Sequence, residues 1–138
     1  GIFEVQRTGD DTSGHEWDRT RKMGVNTLAF RLPQHRAFFL ADPDCAPISR
    51  SVPPEMTRQW FDLVARSGTA LFISANPAEV TGEEKRMMKE ALATAARIQP
   101  EAEPLDWMET TSPERWRLGG KTARFTWFGK EGVDFFPK

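Results

Sequence analysis

Three short apolar, β-prone runs punctuate the chain: Ile2-Phe3-Glu4-Val5-Gln6, Ala37-Phe38-Phe39-Leu40-Ala41 and Ala70-Leu71-Phe72-Ile73-Ser74. They begin at residues 2, 37 and 70, a near-constant interval, and a stretch of helical periodicity follows each. The first helical pattern covers roughly 17–32, with Met23, Leu28 and Leu32 available for burial and Gly24 weakening it. The second spans 54–67. There Met56, Trp60, Leu63 and Val64 recur at helical spacing, Pro54 suits the first turn and Gly68 stops the helix. The third opens on Thr81-Gly82-Glu83-Glu84, a capping box in which each side chain satisfies the other's backbone N–H. Its expected buried face is Met87, Met88, Leu92 and Ala95, and Pro100 ends it. Strands alternating with helices predict βαβ units and a parallel sheet.

The pattern changes after the Pro- and Glu-rich stretch 99–104. Arg115-Trp116-Arg117-Leu118 and Ala123-Arg124-Phe125-Thr126-Trp127-Phe128 read as strands joined by Gly119-Gly120. Gly129-Lys130-Glu131-Gly132 then turns into a further strand, Val133-Asp134-Phe135-Phe136. Alternation with tight turns predicts antiparallel sheet. A boundary near 100–104 therefore divides an α/β segment, 1–100, from the beginning of an antiparallel β domain, 101–138. Three βα units leave sheet faces and edges uncovered, and parallel sheets are almost always buried on both sides. The expectation is that 1–100 forms the last three βα units of a (β/α)8 TIM barrel. In that fold functional residues follow the C-terminal ends of the strands. Arg7, Asp10 and Asp11, then Asp42 and Asp44, then Asn76 stand at those places.

Composition narrows the classes of function. The 138 residues carry 28% charged and 38% hydrophobic side chains with a net charge of −1, which predicts a folded domain and gives no basic footprint for nucleic acid. No apolar run approaches the ~20 residues of a membrane span, and there is no polybasic membrane patch. Cys45 is the single cysteine, so neither an internal disulfide nor a cysteine-rich zinc site is expected. The two histidines, His15 and His35, have no ligand spacing; both read as loop residues, with His15 within reach of Asp11. Ser74 lacks a nucleophile-elbow context. No cofactor or metal is expected. Five Trp residues stand in the chain; Trp17 reads either as packing or as a sugar-stacking ring.

The run Arg7-Thr8-Gly9-Asp10-Asp11-Thr12 sets a permanent cation four residues before a carboxylate at a strand end. A carboxyl that protonates a leaving sugar oxygen and then activates water needs its pKa set by its neighbours. A second carboxylate raises it and Arg lowers it. The same residues also suit an Asx-turn or helix cap. In Asp42-Pro43-Asp44-Cys45 the two acids share a face of an extended stretch. They can bind sugar hydroxyls or simply form a Pro-containing turn.

At these residues the chain resembles the α-galactosidases of glycoside hydrolase families 36 and 27. Their Arg-x-Gly-x-Asp-Thr run is similar to Arg7–Thr12, and their aromatic-rich strand closing in Asp-Pro-Asp-Cys is similar to Phe38–Cys45. Leu71–Ser74 stands where the eighth strand belongs, and Pro104–Trp107 onward resembles the start of their C-terminal β domain. The resemblance spans nearly the whole chain. It implies retaining hydrolysis of terminal α-linked galactose-type sugars, with Asp11 as acid/base, Arg7 anchoring the sugar or orienting carboxylates, and Trp17 shaping the pocket wall. Asp42 and Asp44 become pocket support. The chain departs from the pattern at Asp10, often Pro in the family, so Asp10 is the alternative acid/base; it departs again at Asn76, where an acid is frequent. The family's nucleophile lies on its fourth strand, so the implied partners are a glycoside substrate and the preceding part of the same barrel. The fragment itself is expected to be inactive. Relatives acting on N-acetylgalactosaminides, arabinopyranosides or glucosides, and a non-catalytic carbohydrate-binding or scaffold remnant, are the alternatives.

Overall fold

The computed structural model describes residues 4–97 and 99–127. Ile2 and Phe3, Phe128 at the end of an expected strand, and the expected 129–132 turn and 133–136 strand lie outside the described residues. Strand β1 (Val5–Arg7) leads through a polar loop into a continuous helical stretch: α1 (Trp17–Thr20), a π-helical turn (Arg21–Asn26), α2 (Thr27–Arg31) and a short 3-10 turn (Leu32–Gln34). After β2 (Leu40–Asp42) and β3 (Cys45–Ile48) come α3 (Pro54–Ser67), β4 (Phe72–Ala75) and α4 (Gly82–Ala95). A three-stranded antiparallel unit, β5 (Glu103–Pro104), β6 (Arg115–Leu118) and β7 (Lys121–Arg124), follows.

The strands of the first part pair in parallel. β1 pairs β2 with Arg7 opposite Asp42, and β3 pairs β4 with Cys45 opposite Phe72. β2 and β3 are two halves of one bent path, broken at Pro43-Asp44, where Asp44 takes a left-handed φ of 70°. The Ala70 N–H donates to the Ala41 carbonyl at 3.0 Å, so the approach to β4 also lies against this path, as β1 does. The order is thus β1, then β2 with β3, then β4. Among the described residues the strands do not close on themselves.

Helix α3 runs over the expected residues: Pro54 fills its first turn, and Gly68 at φ 77° caps its end in the left-handed region an L side chain would resist. The capping box of α4 is formed, with Glu84 N–H donating to Thr81 Oγ1 and Thr81 N–H to Glu84 Oε2 at 2.8 Å. Met87, Met88 and Ala95 of α4 pack against the core as expected; Leu92 does not, being 47% exposed while its neighbour Ala91 is 8% exposed. Two ion pairs tie this region: Arg50 from the β3–α3 loop holds Glu84, and Arg58 on α3 holds Glu83.

One apolar core joins the two parts. Val25, Leu28, Trp60, Phe61, Leu63 and Val64 from the helices meet Trp116, Leu118, Phe125 and Trp127 from the β unit. Gly24 explains its own place in a helical pattern that it weakens. A Cβ there would come within 2.8 Å of the Trp60 ring, so the missing side chain lets the two helices approach. Buried Arg21 donates to Ser112 Oγ at 2.8 Å and pairs with Asp18, stitching the first helical stretch to the turn before β6.

Candidate functional site

The parallel register decides which polar groups meet. Arg7 opposite Asp42 brings the loop after β1 alongside the bend after β2, and Thr8 N–H extends the ladder by donating to the Asp42 carbonyl at 2.9 Å. At the next step the side chain of Asp44 replaces the backbone. Its Oδ2 accepts from Thr12 N–H at 2.7 Å and Thr12 Oγ1 at 3.1 Å, while Thr12 Oγ1 also reaches the Cys45 carbonyl at 2.9 Å. Asp44 Oδ1 lies 3.8 Å from Arg7 Nη1. Arg7 spends the same nitrogen on Asp11 Oδ1 at 2.7 Å. Arg7 therefore stands between two carboxylates from two different strand ends.

Asp10 and Asp11 face different partners. The Asp10 carboxylate turns back on its own loop, accepting from Asp11 N–H at 2.8 Å and pairing with Arg19 at 3.2 Å. Asp11 meets Arg7, and its carbonyl accepts from Arg19 Nε at 2.8 Å. Its side chain is 66% exposed, and its Oδ2 takes no hydrogen bond among the described residues. Arg19 clamps this turn from α1, eight residues beyond Asp11, and Thr12 locks it to Asp44 across 32 residues. Neither role follows from local sequence: Arg19 shares no turn signature with Asp11, and the Thr12 contact needs the strand register.

Asp42 and Asp44, two residues apart, are driven in opposite directions. Burial pushes the Asp42 carboxyl above its usual value, and the Asp44 charge adds to this against the Asp44 N–H bond and Arg7. Burial opposes ionisation of Asp44 as well, but the Thr12 and Cys45 donors and the Arg7 charge prevail and hold it below the usual range. The Cys45 thiol is pushed up by burial and by Asp44, which keeps it protonated and unreactive.

An open cleft of about 470 Å³ lies at the C-terminal ends of the strands, with Asp11, Thr12, His15, Asp44, Ser74 and Asn76 among its lining residues. Residues that follow three separate strand ends thus converge on one opening. Asp42 and Arg7 are not among the lining residues; they stand behind Asp44 and Asp11 as supports. Trp17 is elsewhere: its ring stacks on Trp127 at 5.9 Å and its Nε1–H donates to the Trp127 carbonyl at 2.6 Å. That contact gives it a packing role between α1 and the β unit. His35 also lies away from the cleft, with its Nδ1 accepting from the Ala41 N–H at 3.1 Å. Among the described residues no three His, Cys, Asp or Glu side chains group closely enough to hold a metal ion, and no helix is long and apolar enough to cross a membrane.

Compared with known proteins, the chain matches no family model, no curated protein and no solved structure.

Proposed function

We propose that the chain is the C-terminal part of a retaining glycoside hydrolase of the α-galactosidase type, in which its three βα units are the last of a (β/α)8 barrel and Asp11 is the acid/base. The observation that carries this reading is the convergence of Asp11, Asp44 and Asn76, each following a different parallel strand, on one open cleft. In barrel enzymes the catalytic constellation is assembled in that way, from the C-terminal ends of several strands.

The local geometry favours Asp11 over Asp10. The Asp10 carboxylate is occupied by its own turn and by Arg19, whereas Asp11 keeps one oxygen without a hydrogen bond among the described residues and lines the cleft. Asp11 is thus able to hand a proton to a glycosidic oxygen and take one from the incoming water. Arg7, fixed by both Asp11 and Asp44, orients that carboxyl. Retention needs a second carboxyl roughly 5–5.5 Å away across the scissile bond. Adjacent residues cannot flank a sugar on both faces, so Asp10 is not that partner, and the nucleophile comes from preceding strands of the barrel.

The test is a comparison of Asp11→Ala and Asp10→Ala in a protein carrying this segment together with the preceding strands, assayed on α-galactosides. Asp11→Ala is expected to lower kcat by about 10²–10⁴-fold and Asp10→Ala by much less. The reverse order would move the acid/base to Asp10. Mutation-sensitive turnover by the isolated chain would refute the split site.

A further inference from the structure

A second cleft, of about 710 Å³, opens at the other end of the strands, where β2 begins, between the turn at 35–37 and the 101–107 stretch. That volume falls within the roughly 300–1,000 Å³ of small-molecule sites. Trp107 stands at its edge, 43% exposed, with its ring edge-on to Phe30 at 5.6 Å and 63°. The turn that carries this ring is held. The preceding Asp106 is buried, its carboxylate accepts the Glu114 and Arg115 N–H groups at 3.2 and 3.1 Å, and its carbonyl accepts the Glu109 N–H at 2.9 Å. The ring is therefore presented on a fixed turn.

The rest of the cleft has an apolar floor, with Leu32, Pro33 and Pro104 among its residues, and a charged rim that is balanced. Arg36 and Arg117 face Glu101 and Glu103, with Arg117 paired to Glu103. Burial and the Arg36 charge hold His35 below its usual range, so it is neutral at pH 7 and the balance remains two cations to two anions. Such a lining neither attracts nor repels net charge, while its planar carboxylates and guanidinium groups can pair with neighbouring hydroxyls. Arg36 also holds a left-handed φ of 62°. Among the described residues the only other non-glycine with positive φ is Asp44, in the first cleft. Backbone strain of this kind persists where surrounding structure enforces it and gathers at ligand sites.

We propose that this cleft is a binding site for a neutral pyranose oligosaccharide, which stacks the C–H face of one ring on Trp107 and turns its hydroxyl rim toward Arg36, Glu101, Glu103 and Arg117. A pyranose joins an apolar face to a hydroxyl edge without charge, which is the complement of an aromatic platform beside a charge-balanced rim. The site is separate from the Asp11 cleft and does not depend on any hydrolytic role for it.

The experiment is a two-dimensional ¹H–¹⁵N NMR titration of the full 138-residue chain with maltotriose, cellotriose and α-1,6-galactobiose in turn. At least one saccharide is expected to give saturable shifts at the Trp107 indole N–H and at the Phe30, Arg36 and Arg117 amides. The Kd should be of millimolar order and insensitive to added salt, because the ligand is neutral. Trp107→Ala should weaken binding about tenfold and Trp107→Phe less. If Trp107→Ala fails to fold, the wild-type shift map and the Phe variant carry the test. Absence of saturable shifts with all three sugars would overturn the site, as would undiminished binding by folded Trp107→Ala. Shifts confined to the Asp11–Asn76 cleft would also overturn it while leaving the hydrolase reading intact.

Discussion

Asp44 gives a single carboxylate oxygen to both the backbone N–H and the hydroxyl of Thr12, joining two loops that lie 32 residues apart. This contact continues the β1–β2 ladder past the last strand pair and fixes where the Asp10-Asp11 turn sits. Replacing Asp44 with Ala leaves the half-buried Thr12 N–H without an acceptor, the hydroxyl keeping only the Cys45 carbonyl, and keeps a non-glycine residue at φ 70°. The expected loss is about 2–3 kcal/mol in chemical denaturation. Asp44→Asn, which tolerates the left-handed region and retains an acceptor, should lose less than half as much. Equal losses would mean that the Arg7 charge, and not the Thr12 hydrogen bonds, holds the loop.

Gly24 sets the approach of the first helical stretch to α3. Helix propensity favours Ala over Gly by about 1 kcal/mol, yet the added Cβ would stand 2.8 Å from the Trp60 ring. Overpacking prevails here: Gly24→Ala is expected to destabilise by about 1–3 kcal/mol, whereas the double variant Gly24→Ala/Trp60→Phe should recover part of that loss. Thermal unfolding of the four proteins of the cycle measures the coupling directly.

Glu84 carries an acid-sensitive part of the stability. Hydrogen bonds from Arg50, then from the Thr81 N–H, hold its carboxyl at about 2, down from 4.5. A carboxyl depressed in the folded state contributes stability above its unfolded value and loses it as pH falls through the folded one. The contribution is therefore complete above 4.5, declines between 4.5 and 2, and is absent below. Glu84→Gln should flatten the stability profile across that window and leave its slope above pH 5 unchanged. An unaltered profile between pH 5 and 2 would contradict the assignment.

Trp17 is expected to act on stability and not on sugar binding. Its stacking on Trp127 and the hydrogen bond to the Trp127 carbonyl predict a loss of about 3 kcal/mol for Trp17→Ala. Trp17→Phe, which keeps a ring but no N–H donor, should lose about 1 kcal/mol. In an active protein the folded Phe variant should keep its KM. A raised KM at full stability would return Trp17 to the pocket.

Elements with local punctuation were legible in the sequence, and those set by distant pairing were not. Pro54 and Gly68 bound α3 at the expected residues, and the Thr81–Glu84 pair announces α4. Strand β3 escaped because Pro47 within Cys45–Ile48 and the preceding Asp-Pro-Asp read as a turn; a neighbour on one side accommodates that proline. The second apolar run begins as a turn, leaving Phe38 74% exposed, because Arg36 reverses the chain at φ 62°. Leu92 is apolar yet outward, 47% exposed, while Ala91 beside it is buried. In the site, Arg7 with Asp11 was visible as a spacing of four. The Thr12–Asp44 lock and the Arg19 clamp depend on register and on the angle of α1, which no local pattern encodes.

The most direct test of Asp11 is the dependence of the Asp11→Ala variant on the leaving group, in a protein carrying this segment with its preceding strands. A dinitrophenolate needs no proton to depart, whereas an alkoxide does. Loss of the general acid should therefore cost about 10²–10⁴-fold in kcat/KM on α-1,6-galactobiose and far less on 2,4-dinitrophenyl α-galactoside. Added azide, an anionic nucleophile that needs no base, should restore turnover of the activated substrate as galactosyl azide. Equal losses on both substrates without azide rescue, or this signature appearing in Asp10→Ala instead, would contradict the assignment of Asp11.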